Sequence, residues 1–247
     1  MNLLLLALIP ALALADSVPL SPAGEAAVRY RLGVALVAEG EVQAALQHFE
    51  AVISLTPTWA LGQLAYARAR RALDLPLEPT LAALARACQL APQNPSAHHD
   101  HGLALEAAGR LDEAAAAYRQ AVEIAPTHAE AHARLGLLAM ERGDVSAACS
   151  HLRVATGLDP DDAVSQTRLA EALERAGLHG EAGRELRALV ARDKANAFPL
   201  RRLAAFLQRR DREAEAEAAL AAAKRIERRA RPKRRLRPLG PRFRAPK

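Results

Sequence analysis

Residues 113–126 read EAAAAYRQAVEIAP, and residues 147–160 read AACSHLRVATGLDP. In the first, Ala114, Tyr118 and Ala121 fall at i, i+4 and i+7, which is one face of a helix. Two small residues there flank one large one, and Pro126 ends the stretch because it lacks an N–H and clashes with the preceding turn. The second stretch repeats this 34 residues later, with Ala148, Leu152, Ala155 and Pro160. Proline falls at 57, 92, 126 and 160, and glycine at 40, 109, 143 and 177, with one repeat lacking its glycine. A second glycine series at 33, 102 and 136 continues as Ala170. A fixed period of this length marks a stack of identical supersecondary units.

Composition agrees on the fold class. The 247 residues are 51% hydrophobic but only 3% aromatic. Alanine, the best helix former, takes the place of large rings. Runs of alternating β-branched residues are missing, so the chain is expected to be all-α. Its length suits one elongated domain or two compact ones. Gly33, Gly102 and Gly136 are expected where two helices cross, since a side chain there holds them apart. Gly109 and Gly143 are expected to end first helices in a left-handed cap, with Asp112 and Asp144 in the turn that follows.

The pattern resembles the tetratricopeptide repeat. Residues 26–59 carry it as Leu32, Gly33, Leu36, Ala45, Phe49, Val52 and Pro57; residues 95–128 as Gly102, Leu105, Ala114, Tyr118, Ala121 and Pro126. Residues 129–162 match with Leu135, Gly136, Ala148, Leu152, Ala155 and Pro160. Residues 163–196 match with Leu169, Ala170, Leu173, Ala182, Leu186 and Val190, Ala195 standing for the proline. Residues 60–94 are looser: Arg68 stands where glycine is expected, and Pro76 and Pro79 lengthen the turn. Residues 197–230 read as a terminal repeat. The resemblance implies a right-handed α–α superhelical solenoid of about six helix pairs over 26–230, working as a non-catalytic protein–protein interaction scaffold.

In such a stack the first helices line the concave surface. By register that surface begins with Tyr30, Val34 and Val37, then Ala65, Ala69 and Ala72. His99, Leu103 and Glu106 follow, then Ala133, Leu137, Met140 and Glu141. Thr167, Glu171, Glu174 and Arg175 come next, then Arg201, Ala205, Gln208 and Arg209. It runs from apolar through acidic to basic, a pattern that suits a protein or peptide segment laid along it. The Lys/Asn set with which some tetratricopeptide proteins clamp a C-terminal carboxylate is missing at these places, so that subtype is not expected.

Catalytic chemistry is not indicated. The chain has no phosphate-cradling glycine loop, CxxC pair, HExxH or GxSxG, and no enzyme activity, cofactor or metal is expected. The stretch HHDHG at 98–102 and His132 could supply three imidazoles, but His98, His101 and His132 fall at large packing positions of the repeat. Cys88 and Cys149 lie two repeats apart, beyond disulfide reach, and are expected to be free thiols.

Both ends differ from the body. Leu3 to Ala15 is apolar and closes with Ala13-Leu14-Ala15, the small-x-small pattern of an export signal over residues 1–15. At about 13 residues it is too short to span a bilayer as a helix. Residues 224–247 carry twelve Lys/Arg against one acid, +11 of the chain's net +6, which leaves the body at −5. Residues 231–247 are expected to be disordered, through four prolines and like-charge repulsion. There Arg231, Lys233, Arg234, Arg235, Arg237, Arg242 and Arg244 are candidates for gripping a polyanion or an anionic membrane surface, or for folding back onto Glu106, Glu141, Glu171 and Glu174. Phe243 is the only ring in the tail, so base stacking and sequence-specific nucleic-acid binding are not expected. The expectation is an exported, periplasmic scaffold of a bacterial cell-envelope assembly, anchored at the inner membrane if the signal is retained; the alternative is a polyanion- or membrane-surface-binding protein working through its tail.

Overall fold

The computed structural model of the chain describes residues 20–230. The expected export signal and the basic tail with its seven named cations lie outside the described residues. Among those residues there are twelve helices and no strand. In order they are α1 (Pro22–Ala38), α2 (Val42–Leu55), α3 (Ala60–Ala72), α4 (Leu77–Leu90), α5 (Pro95–Ala107) and α6 (Leu111–Ile124). They continue as α7 (Ala129–Glu141), α8 (Val145–Leu158), α9 (Ala163–Arg175), α10 (His179–Arg192), α11 (Ala197–Gln208) and α12 (Glu213–Ala230). None is long and apolar enough to cross a membrane.

The described residues divide into two compact units, 20–160 and 161–230. The first contains the four helix pairs α1–α8. Each helix packs on the next, and α3 also touches α5. The second contains α9–α12, packed in the same sequential way, with α9 also touching α11. Each unit is therefore an all-α stack of helix pairs.

The crossing glycines are where the sequence places them, and the reason is steric. A Cβ at Gly102 would stand 2.5 Å from Tyr118 Cε1; at Gly33, 2.5 Å from Phe49 Cε1; at Gly136, 2.6 Å from Leu152 Cγ. The second helix answers with a fully buried small–large–small stripe, Ala114, Tyr118 and Ala121 in α6. In the second pair the crossing residue is Ala67, 1% exposed, and not Arg68, whose side chain is half-exposed. In the fifth pair the inward residue is Leu189 and not Val190, and the place of the missing proline falls at Lys194 and not Ala195. Each of these three readings was one residue out of register, which on a helix turns a side chain by about 100°.

The turns are also continuous. Gly40, Gly109, Gly143 and Gly177 have φ of +85°, +74°, +78° and +77°. The repeat without its glycine uses Asp74 at φ +51°, 34 residues after Gly40, and the last uses Asp211 at φ +55°, 34 residues after Gly177. Aspartate is among the few other residues that tolerate this left-handed region. Helices α2, α4, α6 and α8 each end two residues before Pro57, Pro92, Pro126 and Pro160. Three first helices start on Asn or Asp caps: Asn94 Oδ1 accepts from the Ser96 and Ala97 N–H groups, Asp162 Oδ1 from Val164 and Ser165, Asn196 Oδ1 from Phe198. Asp144 caps α8, as its place in the turn suggests, whereas Asp112 falls inside the first turn of α6.

Two glycines separate crossing from propensity. Gly102→Ala is expected to lower stability by about 1–3 kcal/mol through overpacking against Tyr118. Gly157→Ala, on the exposed side of α8 with nothing within 4 Å of the added Cβ, is expected to raise it by roughly 0.5–1 kcal/mol. Urea denaturation of both variants measures this, and a Gly102→Ala variant as stable as the parent removes the steric account of the crossing.

Candidate protein-binding groove

In the first unit, α1 and α3 border a cavity of about 370 Å3. Tyr30, Val34 and Val37 line it from α1, and Ala65, Ala69 and Ala72 from α3, each set spaced i, i+4, i+7. These are the six residues that register places on the concave floor of the first two repeats. Phe49 of α2, a repeat-pattern residue, joins them, as does Leu61 of α3, which had not been singled out. The cavity exists because alanines on α3 face larger residues on α1 and do not fill the space between. Tyr30 is held in place by rings, its centroid 4.9 Å from Trp59 and 6.0 Å from Phe49. Val34, Val37 and Leu61 remain 47%, 44% and 45% exposed. A contiguous group of exposed apolar side chains around a concavity is the mark of a binding groove.

Arg68 and Arg71 also line this cavity. Both serve Asp100 of α5: Arg68 Nε donates to Oδ2, and Arg71 Nη1 lies 3.7 Å from Oδ1. Asp100 is 4% exposed, and a carboxylate that deep needs such partners. Sequence reading passed over it because HHDHG drew attention to its histidines.

A neighbouring cavity of about 400 Å3 is lined by Arg71, Leu103, Glu106, Ala107 and Arg134. Leu103 and Glu106 are therefore where register puts them. Glu106 is occupied, accepting from Tyr118 Oη at 2.8 Å and from Arg134 Nη1 at 3.1 Å. Burial, and then this bond, push the Tyr118 hydroxyl well above its usual pKa. Leu137 is half-buried and Glu141 exposed. Two expected floor residues are corrected: His99 and Met140 are 8% and 7% exposed and belong to the packing. His99 is covered by ring contacts with His128 at 4.8 Å and Tyr118 at 5.7 Å.

The expected passage from acidic to basic surface in the second unit is also corrected, because the two signs neutralise one another. Glu174 accepts two bonds from Arg209, at 2.9 and 2.7 Å, and lies 3.6 Å from Arg210. Glu171 is engaged by Arg202 and Arg168. The space between them, lined also by Thr167 and Ala205, measures about 70 Å3, room for little more than water. Arg201 is bound by Glu227 of α12, and Arg202 takes its expected place beside the acids. A signal for these pairs was available: arginine recurs at 134, 168 and 202, one period apart. Of the four acids offered to the tail, Glu106, Glu171 and Glu174 already hold arginines.

Of the three histidines that could have met, two are held by local structural bonds. His98 Nε2 donates to the Pro92 carbonyl at 3.0 Å and His132 Nε2 to the Pro126 carbonyl at 3.1 Å. Gln63 Nε2 does the same to Pro57 at 3.0 Å. A side chain six residues after Pro57, Pro92 and Pro126 thus ties the first helix to its own entry turn. With Nε2 of His132 donating, its Nδ1 accepts from Nδ1 of His151 at 3.1 Å. Cys88 and Cys149 are free thiols. Burial, reinforced by Asp100, pushes Cys88 up to about 11, so it is unreactive at neutral pH.

The periodic crossings, turns and proline ties have a counterpart among known families. The tetratricopeptide repeat model matches residues 7–58, 78–129, 99–163 and 134–197. The chain belongs to the tetratricopeptide repeat family. Solved structures agree on the fold. YrrB, described as a tetratricopeptide repeat protein with an unusual peptide-binding site, is 18% identical, with a TM-score of 0.62 over 73% of this chain and 92% of its own. PilF of Pseudomonas aeruginosa is 15% identical, with a TM-score of 0.69 over 83% and 93%. A tetratricopeptide repeat protein of Parabacteroides merdae is 15% identical, with a TM-score of 0.67 over 84% and 81%. No curated protein matches the chain in sequence. The tetratricopeptide fold supports a protein–protein interaction scaffold.

The Glu174–Arg209 pair makes a pH prediction. The Arg209 hydrogen bond, ahead of its charge, holds the Glu174 carboxyl below its ordinary 4.5. The pair therefore stabilises fully above about pH 4.5, and that contribution is lost as pH falls through the folded value. Arg209 is half-exposed, so its worth is about 0.5–1 kcal/mol. Arg209→Ala is expected to be less stable than the parent at pH 7, with the difference shrinking as pH falls below 4.5, as measured by chemical denaturation at a series of pH values.

Proposed function

We propose that this tetratricopeptide protein is a non-catalytic adaptor that holds an apolar segment of a partner protein in the α1–α3 groove. The observation that carries this reading is the 370 Å3 cavity with Val34, Val37 and Leu61 on its exposed wall. Elsewhere on the first helices Asp100, Glu106, Glu171 and Glu174 are paired with arginines within the chain, so apolar burial is the main recognition chemistry on offer. A peptide-binding site in YrrB, a protein of the same fold, is in keeping with this use.

The compartment belongs to the same proposal. The apolar run from Leu3 to Ala15 supports export, with work in a bacterial cell-envelope assembly. The family match starts at residue 7, inside that run. The N-terminal sequence of the protein purified from its host decides between them: export with cleavage predicts a mature chain starting at Asp16, and an intact Met1 or Asn2 start removes the cleaved signal.

The groove is tested by placing a photo-crosslinking residue at Val37 in the native host and identifying what it captures. Val34→Lys and Leu61→Asp are expected to abolish that capture, and to weaken the isolated complex by tenfold or more, about 1.4 kcal/mol. Their melting temperatures should stay near the parent's because both sites are half-exposed. The second reading, polyanion or membrane-surface binding, rests on the +11 charge of residues 224–247. It predicts salt-sensitive retention on heparin that disappears on truncation after Ala230, with capture at Val37 unaffected by either groove variant.

A further inference from the structure

Outside the groove, one side-chain cluster has the composition of a metal site. His99 of α5, His128 at the α6–α7 connection and Glu130 of α7 each offer one ligand atom, and these atoms lie within 4.8 Å of one another. The second observation is an unsatisfied nitrogen. His99 is 8% exposed, and its Nε2 is buried without a hydrogen-bond partner. Native interiors rarely leave such an atom idle, and each case calls for an explanation. The other nitrogen, Nδ1, lies 3.8 Å from Oδ1 of Asp100. A carboxylate on that side favours the tautomer with its proton on Nδ1, which leaves Nε2 as a bare lone pair. Carboxylate, imidazole and cation in that order is a recurrent outer-shell arrangement of metal-binding histidines.

We propose that His99, His128 and Glu130 together bind one divalent transition-metal cation, zinc being the best match. Two imidazoles and one carboxylate form a three-ligand zinc set, with the fourth tetrahedral position left to water. Softer Cu(I) prefers sulfur donors, and Mg2+ or Ca2+ prefer oxygen alone. Zinc bonds of about 2.0–2.2 Å place tetrahedral ligand atoms roughly 3.4 Å apart. The cluster therefore has to contract by up to about 1.4 Å, and Glu130, exposed on the surface, is the member free to swing inward. His128 must change hydrogen-bonding role. Its Nδ1 now accepts from the Ala131 N–H at 3.4 Å. Whichever of its nitrogens takes the cation, that acceptor is lost, because the remaining nitrogen carries the ring proton. The bond is long for an N–H donor, so little is given up. The local charge is permissive, since Asp100 and Glu130 face His99, and the nearby guanidinium of Arg134 is held by Glu106.

This site is distinct from the sequence-derived trio, and that separates the two experimentally. The full chain, untagged and stripped with a chelator, is titrated with Zn2+ by calorimetry. One site per chain is expected, together with a Zn2+-dependent rise in melting temperature. His128→Ala should abolish binding. Glu130→Gln, an exposed change that leaves the fold intact, should weaken it at least tenfold. His99→Ala should do the same if it folds; the Glu130 and His128 variants decide the matter if it does not. A His98→Ala/His132→Ala chain should bind as the parent does. No saturable binding below roughly 100 μM, or binding indifferent to Glu130→Gln and His128→Ala but lost without His98 and His132, overturns the proposal.

Discussion

The structure depends on the absence of a Cβ. At Gly33, Gly102 and Gly136 the first helix of a pair comes so close to the second that Phe49, Tyr118 or Leu152 occupies the place where a side chain would begin. That approach sets the distance between paired helices. It also fixes the direction in which the remaining faces point. Once it is set, consecutive first helices are near enough for Asp100 to receive Arg68 and Arg71, and for Glu106 to receive Arg134. Tyr118 links the two levels: its ring fills the crossing and its hydroxyl reaches Glu106. One small residue per repeat thus controls both the dry seam and the polar surface built on it.

Charge on the first helices is largely spent inside the molecule. Buried or half-buried acids meet arginines from a neighbouring repeat, and on this solvent-facing surface such pairs add modest stability each. Their larger effect is on recognition. A carboxylate that already holds a bidentate arginine has little to offer a basic tail or a basic partner. What the α1–α3 groove leaves uncommitted is apolar: two valines, a leucine and a row of alanines around Tyr30. A solenoid of this kind discriminates by which side chains its partner can bury.

Much of this was legible in the residues. The 34-residue period, the prolines that follow each second helix and the small–large–small stripe of α6 all follow from local rules. So does the floor of the first groove, because helical spacing alone puts 30, 34, 37 and 65, 69, 72 on one surface. Errors came where a single residue of register decides a side chain's direction, as with Arg68 for Ala67 and Val190 for Leu189. Asp74 hid a turn because sequence reading looked for glycine where the backbone required only a positive φ. His99 and Met140 were placed on an open floor because spacing gives direction but not cover. His128, arriving from the connection before α7, is what closes over His99.

The sequence by itself determined the class of fold, the number of helix pairs and the places where chain direction reverses. These depend on interactions within a few residues or on a repeat that can be counted. Only the tertiary structure decided which charges cancel, which histidines meet and which apolar residues remain exposed. Those outcomes depend on partners 28 to 35 residues away in the chain, as with Glu106 and Arg134 or Glu174 and Arg209, and on whether a neighbouring helix brings bulk or only an alanine to the same point. No local pattern carries that information, because it exists only once the helices have packed.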